Sequence, residues 1–352
     1  MIEQGMTAGD ETVIEIQDLK TVFSARLGFF QTLIGKKVLI NAVDGVSFDI
    51  RRKEIFGLAG ESGCGKTTLG RTMLRLENAT SGSIFFRGRD ITALHGSELR
   101  KIRPRIQMVF QDPYESINPR MTVFEIVAEG VRINRKEADA NTDYSIAAMV
   151  EKALRLVQLV PPEQFTERYP HELSGGQRQR VAIARALVME PEFIVADEPV
   201  SMLDVSIRAE VLNVMTDLRN DLGLSFLFIS HDLALVKHVA DRLAIMYLGK
   251  VVELGETAEV VDAPFHPYTQ ALIAAIPVPD PQGRKVSVLA AGELPSALDV
   301  PTACRFHPRC RYAKEICKTT EPELRRVTEN HFVACHFYEE AIADFKTLLQ
   351  RT

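Results

Sequence analysis

The sequence predicts an α/β fold: a mostly parallel sheet preceded by an N-terminal antiparallel β segment, interrupted by a helical insertion and followed by a small irregular cysteine-containing module. Three observations carry this. Apolar strand-length runs alternate with amphipathic helical stretches, one run leads straight into a glycine-rich loop, and prolines crowd the segment from Pro264 to Pro308. A chain of 352 residues, 46% of them hydrophobic, buries a full core and has room for one large domain and a smaller one.

Val13 to Val22 and Val46 to Ile50 alternate as strands do, and Ile55 to Ala59 reads as a buried strand. From Glu125 to Val160 the apolar spacing is mostly helical, with Val150, Ala153, Leu154 and Val157 on one face. A helix follows Ser174, then a strand over Phe193 to Ala196, a helix around Ile207 to Leu218 and a strand over Phe226 to Ile229. The expected division is a large α/β domain over 11–265, with its helical part at about 113–175, and an extension over 266–352 in which Pro267, Pro277, Pro279, Pro281, Pro295 and Pro301 prevent long regular elements.

A net charge of −5 gives no general attraction to nucleic acid, and the short run Arg100, Lys101, Arg103, Arg105 reads as a solvated face. No apolar stretch approaches the roughly 18–20 residues of a membrane span, and Met1 to Asp10 is polar, so a soluble, cytoplasmic protein is expected.

Gly60-Glu61-Ser62-Gly63-Cys64-Gly65-Lys66-Thr67 fits the phosphate-loop pattern, after a predicted strand and before a helix starting near Thr68. Glycines let successive N–H groups turn toward one anion, and the helix start adds positive potential. Lys66 is expected to reach the β- and γ-phosphates and Thr67 to offer its hydroxyl to Mg²⁺, with Cys64 a small loop residue and not a metal ligand. No guanine-reading Asn-Lys-x-Asp stretch occurs, so ATP is the expected nucleotide, with Phe23 as a platform for adenine or, equally, as core packing.

The apolar run ending in Asp197-Glu198 delivers two carboxylates at a strand end. Asp197 suits Mg²⁺ through water, and Glu198 can polarise the attacking water. His231, after the strand over Phe226 to Ile229, can hold the γ-phosphate and that water, and Gln111, after Met108-Val109-Phe110, can reach Mg²⁺ or water. Leu173-Ser174-Gly175-Gly176-Gln177 opens an amphipathic helix with Ser174 as its N-cap, a second helix start suited to an anion in a chain that already has a phosphate loop.

Together these residues resemble the ATP-binding subunits of ABC transporters. The likeness covers the Walker A loop from Gly60 to Thr67, the Q-loop at Gln111, the signature Leu173 to Gln177, and Walker B at Asp197 and Glu198. It extends to the D-loop Ser201-Met202-Leu203-Asp204, where Met202 replaces the usual alanine, and to His231. The resemblance implies a head-to-tail dimer in which ATP lies between Walker A of one subunit and Ser174, Gly175, Gly176 and Gln177 of the other, with Asp204 near the shared site. It also implies a permease-docking surface at Gln111 to Pro119.

His266-Pro267-Tyr268-Thr269-Gln270-Ala271-Leu272 and Gly292-Glu293-Leu294-Pro295-Ser296 resemble the extension of oligopeptide, dipeptide and nickel importers. That implies a second, related ATP-binding subunit, two transmembrane permease subunits, an extracytoplasmic substrate-binding protein, a peripheral place on the cytoplasmic face of the inner membrane, and peptides as cargo. Four thiolates at Cys304, Cys310, Cys317 and Cys335 suit a soft metal. The resemblance points to a 4Fe–4S cluster, with Zn²⁺ and unliganded thiols as alternatives and His307, His331 or His336 as substitute ligands. The competing functions are a soluble ABC ATPase of the DNA-repair type, against which the short segment between the Walker motifs speaks, and an importer of nickel or another small solute.

Overall fold

The computed structural model describes residues 12–25, 38–112, 117–134, 142–276 and 300–350. Pro113 to Ser116 of the expected docking loop, the stretch Gly292 to Ser296, and Pro277, Pro279, Pro281 and Pro295 lie outside the described residues. By tertiary contacts the chain divides into two compact units, one of residues 1–14, 49–55 and 85–229, the other of residues 15–48, 56–84 and 230–352. This differs from a cut at residue 265. The extension falls in the same unit as the phosphate loop, while the helical insertion shares a unit with the two carboxylates.

The chain forms strands β1 (Thr12–Ala25), β2 (Val38–Arg51), β3 (Ile55–Ala59), β4 (Ser81–Phe86), β5 (Arg89–Asp90), β6 (Ile106–Val109), β7 (Phe193–Asp197), β8 (Ser225–Ser230), β9 (Arg242–Tyr247), β10 (Lys250–Glu256), β11 (Arg325–Arg326) and β12 (Phe332–Val333). In the first unit β6, β7 and β8 run parallel, with Val109 opposite Ala196 and Asp197 opposite Ile229. All five residues of β7 and all six of β8 are buried, as unbroken apolar runs demand of a sheet covered on both faces. The register brings the C-terminal ends of these strands to one edge, where open parallel sheets present functional groups.

The stretch from Glu125 to Val160 forms two helices, Val123–Asn134 and Thr142–Leu156. Both pack on the helix Gly175–Leu187, and Val150, Ala153, Leu154 and Val157 are buried as expected. Within the basic run Arg105 pairs with Glu192 and Lys101 with Glu98 at 2.9 Å, while Arg100 and Arg103 are exposed, as expected of a solvated face.

In the second unit β2, β1 and β4 lie side by side, and a second set runs β11-β12-β10-β9-β3, with β3 and β9 parallel and the rest antiparallel. Pro267 does not simply interrupt regular structure: it opens the helix Pro267–Ala274, a position where its missing N–H costs nothing. His266 caps that helix, its Nδ1 accepting from Tyr268 N at 3.0 Å, and burial lowers its pKa to about 3, so the imidazole stays neutral. The buried Glu253 on β10 accepts hydrogen bonds from Phe265 N, His266 N and His331 Nε2 at 2.7, 3.0 and 2.8 Å, tying the extension to the sheet of its own unit. Among the described residues no helix is long and apolar enough to cross a membrane.

Candidate active site

The phosphate loop leaves the fully buried β3 and enters the helix Lys66–Met73. Gly65 precedes that helix at φ 109°, and a Cβ there would lie 2.0 Å from the Ala42 carbonyl oxygen, so the turn excludes every other residue on two counts. Gly63 and Ser62 face outward, and a Cβ on Gly63 would meet nothing within 4 Å, which leaves the loop's outer side open. The helix start carries no side-chain cap, the condition in which orphan N–H groups suit an anion. Lys66 is buried and its Nζ donates to the carbonyls of Gly60 at 2.7 Å and Glu61 at 3.0 Å, spanning the loop from inside. Thr67 and Thr68 are half-buried in the first turn. Cys64 is buried, and that burial pushes its thiol pKa up, so it is a neutral packing group.

In the other unit the parallel register sets two functional groups together. Asp197, 3% exposed, ends β7, and a carboxylate so buried calls for a cation or hydrogen-bond donors. Glu198, half-buried, follows at φ 46°, a conformation that costs a non-glycine residue about 1–2 kcal/mol, and its N–H donates to Ile229 O at 2.9 Å. That turn aims the side chain off the strand end, where Gln111 Nε2 donates to Glu198 Oε2 at 3.0 Å. Gln111 thus meets the carboxylate expected to polarise water, a pairing across 87 residues that the sequence suggests only as two separate strand ends. Ser201, to which the D-loop motif assigns no task of its own, donates from both N and Oγ to Glu198 O, at 3.2 and 3.0 Å, fixing the turn.

Ser174 caps the helix Gly175–Leu187, as expected, within a full capping box: Gln177 N donates to Ser174 Oγ at 3.3 Å and Ser174 N to Gln177 Oε1 at 3.0 Å. Gln177 therefore has a local structural task. Gly176 is required by packing, because a Cβ would lie 2.4 Å from Ile207 Cγ2. Asp204 stands exposed at the start of the helix Val205–Leu222, beside Met202 and Val205, which are 64% and 79% exposed. In the phosphate-loop unit, His231 is exposed after β8, next to Asp232, which caps the helix Leu233–Val239. Phe23 is 38% exposed on β1, which suits a stacking platform better than a core position.

The four tail cysteines are free thiols in one unit. Cys304 N donates to Cys317 O at 3.1 Å, and burial lifts the pKa of Cys304, of Cys310 to about 11 and of Cys335 to about 12, with the other thiols adding to each rise. Burial thus favours the neutral thiol in all three. No group of three or more His, Cys, Asp or Glu among the described residues is arranged to hold a metal ion. The three histidines have other partners: His307 Nδ1 with Cys304 O, His331 Nε2 with Glu253, and His336 Nε2 with Thr320 O, so substitution for a cysteine ligand is not favoured.

The chain matches the family model of the ABC transporter over residues 43–201 and that of the oligopeptide/dipeptide transporter C-terminal region over residues 252–317. It is 48% identical over 334 residues to the Oligopeptide transport ATP-binding protein AppF of Bacillus subtilis, covering 94% of this chain and 99% of that protein. To a Putative peptide import ATP-binding protein of Brucella ovis it is 49% identical over 300 residues, covering 85% and 93%. Among solved structures it resembles the dimeric ATP-binding cassette MJ0796 bound to ADP and Pi, at 26% identity and a TM-score of 0.60, covering 69% of this chain and 98% of that one.

Proposed function

The chain belongs to the ATP-binding proteins of ABC transporters, an ATPase family, and on that premise we propose that it hydrolyses ATP to power the import of di- or oligopeptides. The observation that carries the chemistry is the Gln111–Glu198 hydrogen bond beside the buried Asp197. It places an amide and a carboxylate in contact at a sheet edge, with the carboxylate's backbone in a left-handed conformation that turns the side chain off the strand end. Glu198 takes a proton from the attacking water, Gln111 orients that carboxylate, and His231 donates to the γ-phosphate. Lys66 leaves the Gly60 and Glu61 carbonyls for the β- and γ-phosphates, while Gly60, Ser62, Gly63, Gly65 and Thr68 line their cradle and Phe23 carries the adenine. Thr67 with Gln111 and, through water, Asp197 would hold Mg²⁺, which would supply neutralisation of the phosphate charge.

Ser174, Gly175, Gly176, Gln177 and Asp204 serve the nucleotide of a partner ATP-binding subunit, a reading supported by the exposed apolar Met202 and Val205 beside them. The membrane partners are two permease subunits, with an extracytoplasmic binding protein delivering cargo, and the chain works peripherally at the cytoplasmic face of the inner membrane. The match over residues 252–317 and the relatives named for oligopeptide transport and peptide import support peptides over nickel. For the four cysteines a 4Fe–4S cluster is the favoured occupant. The reading rests on the donor set, four soft sulfur donors in one unit, which Zn²⁺ also takes. Anaerobically purified protein is then brown and loses its iron in Cys310→Ser; colourless, zinc-loaded protein overturns the cluster. For hydrolysis, Glu198→Gln lowers kcat by roughly 10²–10⁴-fold while ATP binding persists and the closed dimer accumulates. Wild-type turnover in that variant removes Glu198 from the mechanism.

A further inference from the structure

Glu61 occupies an unspecified position of the phosphate loop, yet both its side chain and its backbone N–H are held by residues of the extension. Arg309 grips its carboxylate with both terminal guanidinium nitrogens, Nη1 to Oε2 at 2.8 Å and Nη2 to Oε1 at 3.0 Å. This fork is 9% exposed and lies over the rings of Tyr247 and Phe306, a planar, bidentate setting that Lys cannot reproduce. Glu61 N–H donates in turn to the hydroxyl of Tyr268 at 2.8 Å. A second arginine of the same segment, Arg305, also 9% exposed, bonds Leu248 O and Asp44. The adjacent Gly249 donates to Cys64 O at 2.8 Å, bracing the loop's other side. Arg305 follows Cys304 directly and Arg309 directly precedes Cys310, so two arginines beside two of the four cysteines bear on one phosphate loop, Arg309 directly through Glu61 and Arg305 indirectly through the Leu248-Gly249 turn.

A carboxylate beside a cradle for triphosphate is an electrostatic fault unless something cancels it. We propose that the cysteine-bearing segment is a positioning element of the phosphate loop, in which Arg309 neutralises and orients Glu61 while Arg305 braces the turn behind Cys64, so that nucleotide affinity depends on the extension. Neither arginine touches the phosphates; both act through the loop. The inference rests on the reading of this loop as an ATP site, and it assigns to the extension an effect on the loop that the ATPase motifs alone do not contain.

The test uses the full-length chain and a fluorescent N-methylanthraniloyl ATP. Arg309→Gln leaves the Glu61 charge uncancelled and is expected to weaken binding, and to raise KM for ATP, by about tenfold, with kcat little changed. Glu61→Gln removes the charge itself and costs less. Introduced into the Arg309→Gln protein it restores most of the binding, a rescue that a purely structural arginine does not give. Arg309→Lys, which keeps the charge without the fork, falls between and serves if Arg309→Gln does not fold. Binding within twofold of wild type in Arg309→Gln, a double variant no better than Arg309→Gln, or a loss confined to kcat overturns the proposal. Lys66→Ala separates the two levels: if it and the wild type bind the probe alike, the ATP reading of the loop has failed; if only Lys66→Ala loses binding while Arg309→Gln does not, the positioning role alone has failed.

Discussion

The helix that follows Gly65 and the helix that opens with Gly175 and Gly176 are finished in opposite ways. The helix Lys66–Met73 begins after a left-handed Gly65 with no side-chain cap, and its lysine is folded back onto loop carbonyls. The helix Gly175–Leu187 begins with a complete capping box in which Ser174 and Gln177 satisfy each other's backbone. The first start has no side-chain cap of its own, as the proposed phosphate site requires. The second is self-sufficient as a helix, so any anion it meets must be recognised by what remains outward-facing after capping. A helix that is complete by itself suits a surface lent to another subunit's site; an incomplete one suits the chain's own.

The comparison breaks most sharply at Gly65→Ala. The methyl meets the Ala42 carbonyl at 2.0 Å in a backbone conformation L-residues disfavour, so a cost of about 2–5 kcal/mol and loss of nucleotide binding are expected together, read by chemical denaturation and by nucleotide titration. Gly176→Ala is next. Its obstacle is Ile207 Cγ2 at 2.4 Å, on a β-branched side chain stiff at χ1, and the clash costs about 1–3 kcal/mol against a helix-propensity gain of about 1 kcal/mol. Ile207→Ala in the same chain removes the obstacle and is expected to recover the stability. If it does not, Gly176 is required by something other than this packing. Ser174→Ala, which deletes one half of the capping box, is expected to cost about 0.5–2 kcal/mol, with a larger loss in ATP-dependent dimer formation.

What can be read from the sequence divides along the same physical line. The strand–loop–helix of the phosphate site and the capped signature helix are local, each within about a dozen residues, and their spacing carries their geometry. Asp197 and Glu198 are legible because two carboxylates ending a buried apolar run are too costly to keep there without a cation or a substrate to hold. The contact of Gln111 with Glu198 spans 87 residues and follows only from the register of β6 against β7, which no local pattern encodes. Glu61 with Arg309 spans 248 residues, and both occupy positions that the motifs leave unspecified, so nothing in the linear pattern marks them. Gln177 shows the reverse case: the motif marks it as nucleotide-binding, while the capping box gives its side chain a local partner first. Pro267 reads as a breaker because proline cannot sit inside a helix, although at the first helical position its missing N–H costs nothing.

The smallest expected effect on stability is also the most discriminating. A Cβ on Gly175 would lie 3.4 Å from Leu203 Cδ2, a tight but tolerable contact, and the residue adopts ordinary helical backbone at the first helical position. Gly175→Ala should therefore leave the unfolding free energy within about 0.5 kcal/mol of wild type, because the methyl's contact and its helix propensity oppose each other. If this helix start is offered to a phosphate held by another subunit, the same methyl stands at the point of approach, where backbone N–H groups must come within hydrogen-bond distance of oxygen. Light scattering with ATP, in a Glu198→Gln background that holds the closed dimer, would then show the dimer weakened in a chain of unchanged stability. A dimer that survives Gly175→Ala intact would mean that this glycine serves only its own helix, and the contrast between the two helix starts would reduce to a difference in capping.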